Sequence, residues 1–166
     1  MGFFNIVGPR IDRSRFLDLF AGSGVFSFEA ASRGAASATA IEHDRQSVAT
    51  IMRLSKEWNA PVTAIASDVF TGIQRLGREV FDVVYADPPY SFGRYDELLA
   101  AIDRNVVLND AGIVAIEHQR RTDPFTIETK RLKMIRRAEY GEVWITLFEV
   151  ARSHGPEDAR QDRETP

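Results

Sequence analysis

Residues 81–90 read FDVVYADPPY, and this stretch decides the fold. Its first six residues are mostly apolar, which is typical of a buried strand. Asp87-Pro88-Pro89-Tyr90 then ends the strand, because proline has no N–H to give to a β ladder and fixes its own φ. A sharp loop would need only the prolines. An acid and an aromatic ring beside them, at the carboxyl end of a strand, indicate a site.

On both sides of this stretch, short apolar segments alternate with amphipathic helices. Strands are predicted at 15–20, 38–43, 61–66, 81–86 and 112–118. This alternation predicts βαβ units and a doubly wound, mostly parallel sheet with helices on both faces. The end of the chain differs, because two long β-type segments flank Tyr140-Gly141 with no room for a crossover helix. We expect a C-terminal β-hairpin there, which makes the last strand antiparallel.

Length and composition indicate one domain of an ordinary globular protein. The chain has 166 residues, of which 44% are hydrophobic and 27% charged. It has no cysteine, which excludes disulfides and thiolate metal sites. No apolar run approaches the ~20 residues that a membrane helix needs. We expect a cytoplasmic protein whose domain covers residues 1–150, followed by a disordered polar tail over 151–166.

The charge distribution has one feature that the net charge conceals. The net charge of −3 argues against a generally basic nucleic-acid binder. Residues 120–137 nevertheless contain seven basic and two acidic side chains. A solvated strand face and a patch that contacts phosphates would both account for this segment.

The stretch DLFAGSG, residues 18–24, lies at the first turn from a strand into a helix. Glycines at this turn allow a ligand to approach the backbone closely, and the helix N-terminus favours polar or anionic groups. Glu42 follows at the end of the second strand, where a carboxylate can accept hydrogen bonds from both hydroxyls of a ribose. The turn and Glu42 together indicate a ligand that contains adenosine. Ser27 stands where a dinucleotide fingerprint has its third glycine, which weakens the NAD alternative.

Two more acids follow predicted strands. Asp44 is expected to cap the helix that follows the second strand. Asp68 could either accept a hydrogen bond from an adenine amine or cap the helix at Val69, and the two roles do not exclude each other.

Asp87-Pro88-Pro89-Tyr90 has the groups that an exocyclic base amine needs in order to react. Such an amine is a poor nucleophile, because its lone pair is delocalised into the ring. Asp87 and the Pro88 carbonyl can accept the two amine hydrogens and so direct the lone pair toward an electrophile. Tyr90 offers a face on which the base can stack. The prolines hold these groups rigidly, as near-attack positioning requires.

On these motifs the chain resembles the class I S-adenosylmethionine-dependent amino-methyltransferases. More narrowly it resembles the RsmD-type enzymes, which methylate a guanine exocyclic amine (N2) in small-subunit (16S) ribosomal RNA. The resemblance covers about residues 3–149 and includes DLFAGSGVFSFEAASRGA, IEHD, DPPYSFGRYDELL and YGEVWITLFEV. It implies a Rossmann-like, seven-stranded sheet whose last strand is antiparallel, and S-adenosylmethionine as the cofactor.

The resemblance also implies roles for individual residues. It places Asp18, Phe20, Gly22, Ser23 and Gly24 around the amino acid part of the cofactor. It places Glu42 on the ribose, His43 beside the adenine, and Asp68 with Val69 at the adenine amine. It makes Asp87, Pro88, Pro89 and Tyr90 the catalytic clamp. Arg94 and the basic pair Arg136 and Arg137 are expected to contact the RNA substrate, and no metal is expected.

The partner expected from the resemblance is small-subunit rRNA or an assembling small ribosomal subunit, bound by a monomer. Family members usually carry an Arg- and Gly-rich segment before FNI (residues 4–6), which helps to bind RNA, and this segment is expected to be missing from the chain. One alternative is another nucleic-acid amino-methyltransferase that acts on adenine N6 or cytosine N4. A second is a non-catalytic module that binds an adenosyl ligand.

Overall fold

The strands near the middle of the sheet have side chains that are buried on both faces, as expected for a sheet covered by helices on both sides. The computed structural model describes residues 2–120 and 124–151. Within them, seven strands form one sheet in the order β3-β2-β1-β4-β5-β7-β6. The strands are β1 (Arg15–Leu19), β2 (Ser37–Glu42), β3 (Val62–Ala66), β4 (Val80–Ala86), β5 (Val107–Gln119), β6 (Leu132–Tyr140) and β7 (Val143–Val150).

The pairing confirms the predicted fold class. β1, β2, β3, β4 and β5 pair in parallel, whereas β7 is antiparallel to both β5 and β6. The hairpin turn lies between Tyr140 and Val143, where Gly141 has a φ of +60°. β7 therefore inserts between β5 and β6, and β6 forms the edge of the sheet.

Helices cover both faces of the sheet. They are α1 (Gly2–Val7), α2 (Val25–Ser32), α3 (Arg45–Glu57), α4 (Val69–Arg75) and α5 (Tyr95–Asn105), and a short 3-10 helix (Gly8–Ile11) follows α1. Phe3, Phe4 and Val7 of α1 are buried in one of two core clusters, and the residues of α4 and α5 form much of the other. None of the helices in the described part of the chain is long and apolar enough to cross a membrane.

One prediction from the sequence differs from the structure, and another concerns residues that the structure does not describe. Strand β5 begins at Val107, five residues before the predicted start, because it also pairs with Val80 and Phe81 across an irregularity in the ladder. The predicted disordered tail lies outside the described residues, except for residue 151.

Candidate active site

The candidate site lies at the carboxyl ends of the central strands, where the strand order reverses between β1 and β4. Leu19 at the end of β1 pairs with Ile41 of β2 and with Ala86 of β4. The residues that follow these strands therefore meet at one level of the sheet edge. This is the crevice in which open α/β sheets bind ligands.

Glu42 ties two elements of this crevice together. The amide of Gly22 donates to its Oε2 at 2.8 Å, and the amide of Asp44 donates to its Oε1 at 2.8 Å. His43 Nδ1 lies 2.8 Å from the same Oε1. Glu42 is only 6% exposed. Each carboxylate oxygen has two lone pairs, and those of Oε1 already face the Asp44 amide and His43, so Oε2 is the oxygen that keeps acceptor capacity toward a ligand in the crevice.

The glycine turn takes the shape that a ligand cradle needs. Phe20, Gly22 and Gly24 all have positive φ, of 65°, 54° and 79° respectively. A Cβ at Gly22 would meet no atom within 4 Å, so the backbone there faces open space. At Gly24 a Cβ would lie 2.8 Å from Ile51, so glycine is required there for packing against α3. The turn is thus open where a ligand would lie and packed where the helix follows.

Asp18 lies beneath this turn and is buried. Its Oδ2 accepts a hydrogen bond of 2.6 Å from the Ser27 hydroxyl. Burial raises the pKa of Asp18 to about 7, against the opposing effect of the Ser27 hydrogen bonds and with added repulsion from Asp87 and Glu42. Ser27, which weakened the NAD alternative, is therefore the partner of this buried acid.

Asp44 and Asp68 both cap helices, as predicted. Asp44 accepts from the amide of Ser47 at 2.8 Å, and Asp68 accepts from the amide of Thr71 at 3.0 Å. These hydrogen bonds lower the pKa of both carboxyls. The cap uses Oδ1 of Asp68 and does not involve Oδ2. The contact between Asp68 and an adenine amine stays a prediction.

A hollow of about 340 Å³ brings together five of the nine residues assigned to the cofactor, while Asp18, Gly22, Ser23 and Gly24 lie outside its lining. Its lining includes Phe20, Glu42, His43, Asp68, Val69 and Arg94. The Arg94 guanidinium lies 4.3 Å from the centre of the Phe70 ring and is 2.6 Å from Glu97 Oε2. Arg94, expected to contact RNA, thus borders the hollow that holds Glu42 and Asp68.

Asp87 lies across the crevice from this hollow. The turn that follows it is closed by a hydrogen bond of 2.8 Å from the amide of Phe92 to the carbonyl of Pro89. Pro88 is buried, and Tyr90 is 76% exposed. Partial burial raises the pKa of Asp87. Among the described residues no group donates a hydrogen bond to its carboxylate, so that carboxylate is available to a substrate.

A second hollow, of about 350 Å³, adjoins the turn. Tyr90, Arg94, Tyr95, His118 and Gln119 line part of it. His118 is held by Thr146, whose hydroxyl lies 2.8 Å from its Nε2. This space lies beside the exposed Tyr90 ring, on the side of the crevice away from Glu42.

The basic side chains of β6 differ in their surroundings. Arg136 is exposed. The Arg137 guanidinium lies 4.8 Å from the centre of the Trp144 ring, and its Nε donates to Thr146 at 3.3 Å. Arg131, from the same basic segment, donates to the backbone carbonyls of Asp103 and Val106. The structure thus divides the segment into side chains that stabilise the fold and side chains that face solvent. Residues 121–123 of it lie outside the described part.

Sequence reasoning did not find the pair formed by Tyr85 and Glu117. The Tyr85 hydroxyl donates to Glu117 Oε1 at 2.7 Å, next to Asp87. The only signal in the sequence was an acid near the end of the fifth predicted strand. In the described part of the chain, no group of His, Asp and Glu residues is arranged to hold a metal ion.

Comparisons with known proteins give relatives over most of the chain. The sequence profile of the family described as conserved hypothetical protein 95 matches residues 1–149. The chain is 30% identical over 150 residues to YlbH of Bacillus subtilis (strain 168), provisionally named an rRNA methyltransferase, over 87% of this chain and 80% of YlbH. It is 34% identical over 119 residues to ribosomal RNA small subunit methyltransferase D of Escherichia coli (strain K12). That alignment covers 70% of this chain and 59% of the Escherichia coli protein.

A solved structure is similar along nearly the whole chain. It is that of yhhF from Escherichia coli, provisionally described as a methyltransferase, with a TM-score of 0.80 and 26% identity. The superposition covers 92% of this chain and 85% of yhhF.

Proposed function

Because the chain belongs to the conserved hypothetical protein 95 family, we propose that it transfers a methyl group from S-adenosylmethionine to the N2 amine of a guanine in small-subunit (16S) rRNA. One observation carries the proposal. The carboxyl ends of the central strands bring the glycine turn and Glu42 to one side of a crevice. They bring Asp87, whose carboxylate accepts no hydrogen bond from the described residues, to the other side. The names of the relatives support the reaction and the RNA class.

The residues on the Glu42 side fit S-adenosylmethionine, which supplies an electrophilic methyl group on a sulfonium. The open backbone at Gly22 can lie against the amino acid part of this molecule. Glu42 keeps acceptor capacity at Oε2 for one ribose hydroxyl, and Oε1 would accept a second in place of the exposed His43. Asp68 and Val69 line the same hollow, at a position suited to the adenine. Asp18, once ionised, would attract the cofactor's ammonium group.

The residues on the Asp87 side hold the base. Asp87 and the Pro88 carbonyl accept the two amine hydrogens, and Tyr90 provides a stacking face. With the amine so held, its nitrogen forms the new C–N bond as the sulfonium C–S bond breaks. The amine then gives up a proton to Asp87 or to solvent. The acceleration comes mainly from orientation, and a base within RNA must lie in a loop or leave its stack to enter.

The proposal extends to the domain, the oligomeric state, the compartment and the partner. We infer that residues 1–150 form the methyltransferase unit and that it acts as a monomer in the cytoplasm. Its partner is small-subunit rRNA or an assembling small ribosomal subunit. The chain spans about three fifths of the Escherichia coli methyltransferase that it matches, so activity of this chain by itself is part of the proposal.

The test is the variant Asp87→Ala, assayed with labelled S-adenosylmethionine and small-subunit RNA or particles that lack the modification. We expect methyl transfer to fall about 100-fold or more, because the amine loses the acceptor that positions it. Binding of S-adenosylhomocysteine, measured by calorimetry, should change less than about twofold, because Asp87 lies across the crevice from Glu42. Nucleoside analysis should give N2-methylguanosine as the product.

The matched control is Asp110→Ala, which removes an exposed acid from β5. Near-normal transfer by Asp87→Ala would contradict the mechanism. Methylated adenosine or cytidine as the product would contradict the guanine assignment. Saturable binding of S-adenosylhomocysteine without transfer to any RNA would favour the non-catalytic binding module.

A further inference from the structure

We propose that Glu117 accepts the N1–H of the target base and thereby selects guanine over bases whose ring nitrogen beside the amine carries no proton. The inference rests on the proposed function, since it names the group that recognises the base held by Asp87. Glu117 lies at the carboxyl end of β5.

The register of the sheet places Glu117 next to Asp87. Tyr85 pairs with Ala115 and Ala86 pairs with Ile116, so Asp87 and Glu117 are the next residues along the two strands. Neighbouring strands lie about 4.8 Å apart. Burial raises the pKa of Glu117, and repulsion from the Asp87 carboxylate adds to the rise. The two carboxyl groups are thus close enough to contact adjacent atoms on one edge of a base.

One oxygen of Glu117 is fixed by Tyr85. The Tyr85 hydroxyl donates to Oε1 at 2.7 Å. The Tyr85 ring is buried, and its centre lies 4.2 Å from the centre of the Phe26 ring and 4.5 Å from that of Phe3. Burial raises the pKa of Tyr85, and the charge of Glu117 raises it further. The hydroxyl therefore keeps its proton and acts as the donor. Tyr85 therefore orients the carboxylate.

The second oxygen, Oε2, differs from the first in its partners. No group in the described part of the chain donates a hydrogen bond to it, and the Glu117 side chain is partly exposed. Because the side chain is partly exposed, water can reach Oε2, and a donor from a substrate can take the place of that water. The residue thus has one oxygen that is held and one that can accept from a ligand.

The chemistry of the base edge matches this arrangement. Guanine presents three hydrogens in a row, namely the two on its N2 amine and the one on N1. Asp87, the Pro88 carbonyl and Glu117 are three acceptors at the ends of adjacent strands. Adenine and cytosine have an unprotonated ring nitrogen beside their amines, and its lone pair would face the Glu117 carboxylate. An acceptor that meets a donor on one base and a lone pair on another favours the first base by about 10- to 100-fold.

The test uses RNA that carries either guanine or 2-aminopurine at the methylated position. The two bases share the 2-amine, but N1 of 2-aminopurine has no proton. The position is first located with the wild-type chain, and the RNAs are made by ligation and assembled into particles if free RNA is not methylated. We expect wild type to prefer guanine by about 10-fold or more in kcat/KM.

The decisive variant is Glu117→Gln, because its amide can donate to the unprotonated N1. We expect it to lower the guanine to 2-aminopurine ratio about 10-fold or more relative to wild type. The two bases also differ at position 6, but both enzymes encounter that difference, so the change in ratio reports on N1. Tyr85→Phe should lower the ratio less, since it loosens the carboxylate without changing its charge. Glu139→Gln, an exposed acid on β6, should leave the ratio unchanged.

The outcomes separate this inference from the proposed function. Failure of wild type to methylate guanine would contradict the proposed function itself. Guanine methylation with an unchanged ratio in Glu117→Gln would overturn the role of Glu117 and leave it as a partner for the Tyr85 hydroxyl. If the variant is too slow on both RNAs, competition between them for binding gives the ratio of their Kd values for each enzyme. A lower preference for guanine in Glu117→Gln than in wild type would support the role of Glu117, and an unchanged preference would overturn it.

Discussion

Asp18 is a carboxyl group that water does not reach, with 1% of its surface exposed. The Ser27 hydroxyl donates a hydrogen bond of 2.6 Å to its Oδ2, which offsets part of the cost of burial. Burial raises its pKa from 3.8 to about 7. A group so placed makes stability depend on pH, because its folded and unfolded pKa values differ.

For Asp18 we predict that stability falls as the pH rises from about 4 to about 7. In this window the folded chain keeps a proton that the unfolded chain has lost, so folding is favoured at the acid end and the cost is complete above pH 7. Asp18→Asn cannot ionise and avoids that cost. Calorimetry at each pH gives the melting temperature of the variant minus that of wild type. This difference should be larger at pH 8 than at pH 5 by about 3 °C or more.

Asp110→Asn, on an exposed side chain, serves as the control. An equal effect of Asp18→Asn at both pH values would show that Asp18 has an ordinary pKa.

Individual residues also show what the sequence could predict. Glu42 and Asp87 were predictable, because an acid directly after an apolar strand must lie at the sheet edge where parallel strands end. The hydrogen bond between Tyr85 and Glu117 was not. It depends on the register between β4 and β5, which contain an irregularity that no local pattern specifies.

At the scale of elements, one buried acid joins α5 to the start of β6. Asp103 lies in the last turn of α5 and is 5% exposed. Its Oδ1 accepts from the amides of Arg131 and Leu132 at 3.0 and 3.1 Å, and its Oδ2 accepts from the amide of Lys130 at 3.0 Å. The guanidinium of Arg131 in turn donates to the Asp103 carbonyl. These contacts fix the point at which the edge strand begins.

We predict that Asp103→Ala destabilises the chain by about 3 kcal/mol, because three backbone amides lose a charged acceptor at a buried position. Urea unfolding followed by circular dichroism measures the change. Asp96→Ala is the matched control on the same helix, since Asp96 accepts from the amide of Thr126 but is more exposed. It should cost about 1 kcal/mol. Equal losses in the two variants would show that burial at Asp103 contributes nothing extra.

The elements themselves were largely predictable. Apolar runs of five to seven residues specified β1 to β4, and the turn at Tyr140 and Gly141 specified the hairpin, because no helix fits between its strands. The early start of β5 was not predictable, since residues 107–111 include Asn109 and Asp110 and do not look like a strand. Pairing with β4 overrides that local preference.

At the scale of the whole molecule, charge is distributed unevenly. The net charge is −3, yet the edge strand β6 carries Lys133 and Arg136 on exposed positions. Neither side chain forms an ion pair within residues 2–120 and 124–151. Arg137 differs, because it packs over Trp144. Substitution of Arg137 would therefore disturb the hairpin as well as any contact with RNA.

The double variant Lys133→Glu with Arg136→Glu tests this exposed strand as an RNA contact. We predict weaker binding of small-subunit RNA and a slope of log affinity against log salt that is smaller by about 1 to 2, because each lost phosphate contact removes about 0.7–0.9 from the slope. Titration at several salt concentrations measures both. Lys56→Glu with Arg78→Glu makes the same change in net charge at exposed positions on α3 and in the loop before β4.

Since this control changes the total charge equally, it separates local contact from general attraction. An unchanged slope in the β6 variant, or equal changes in the β6 variant and the control, would show that β6 faces solvent and that RNA binds elsewhere.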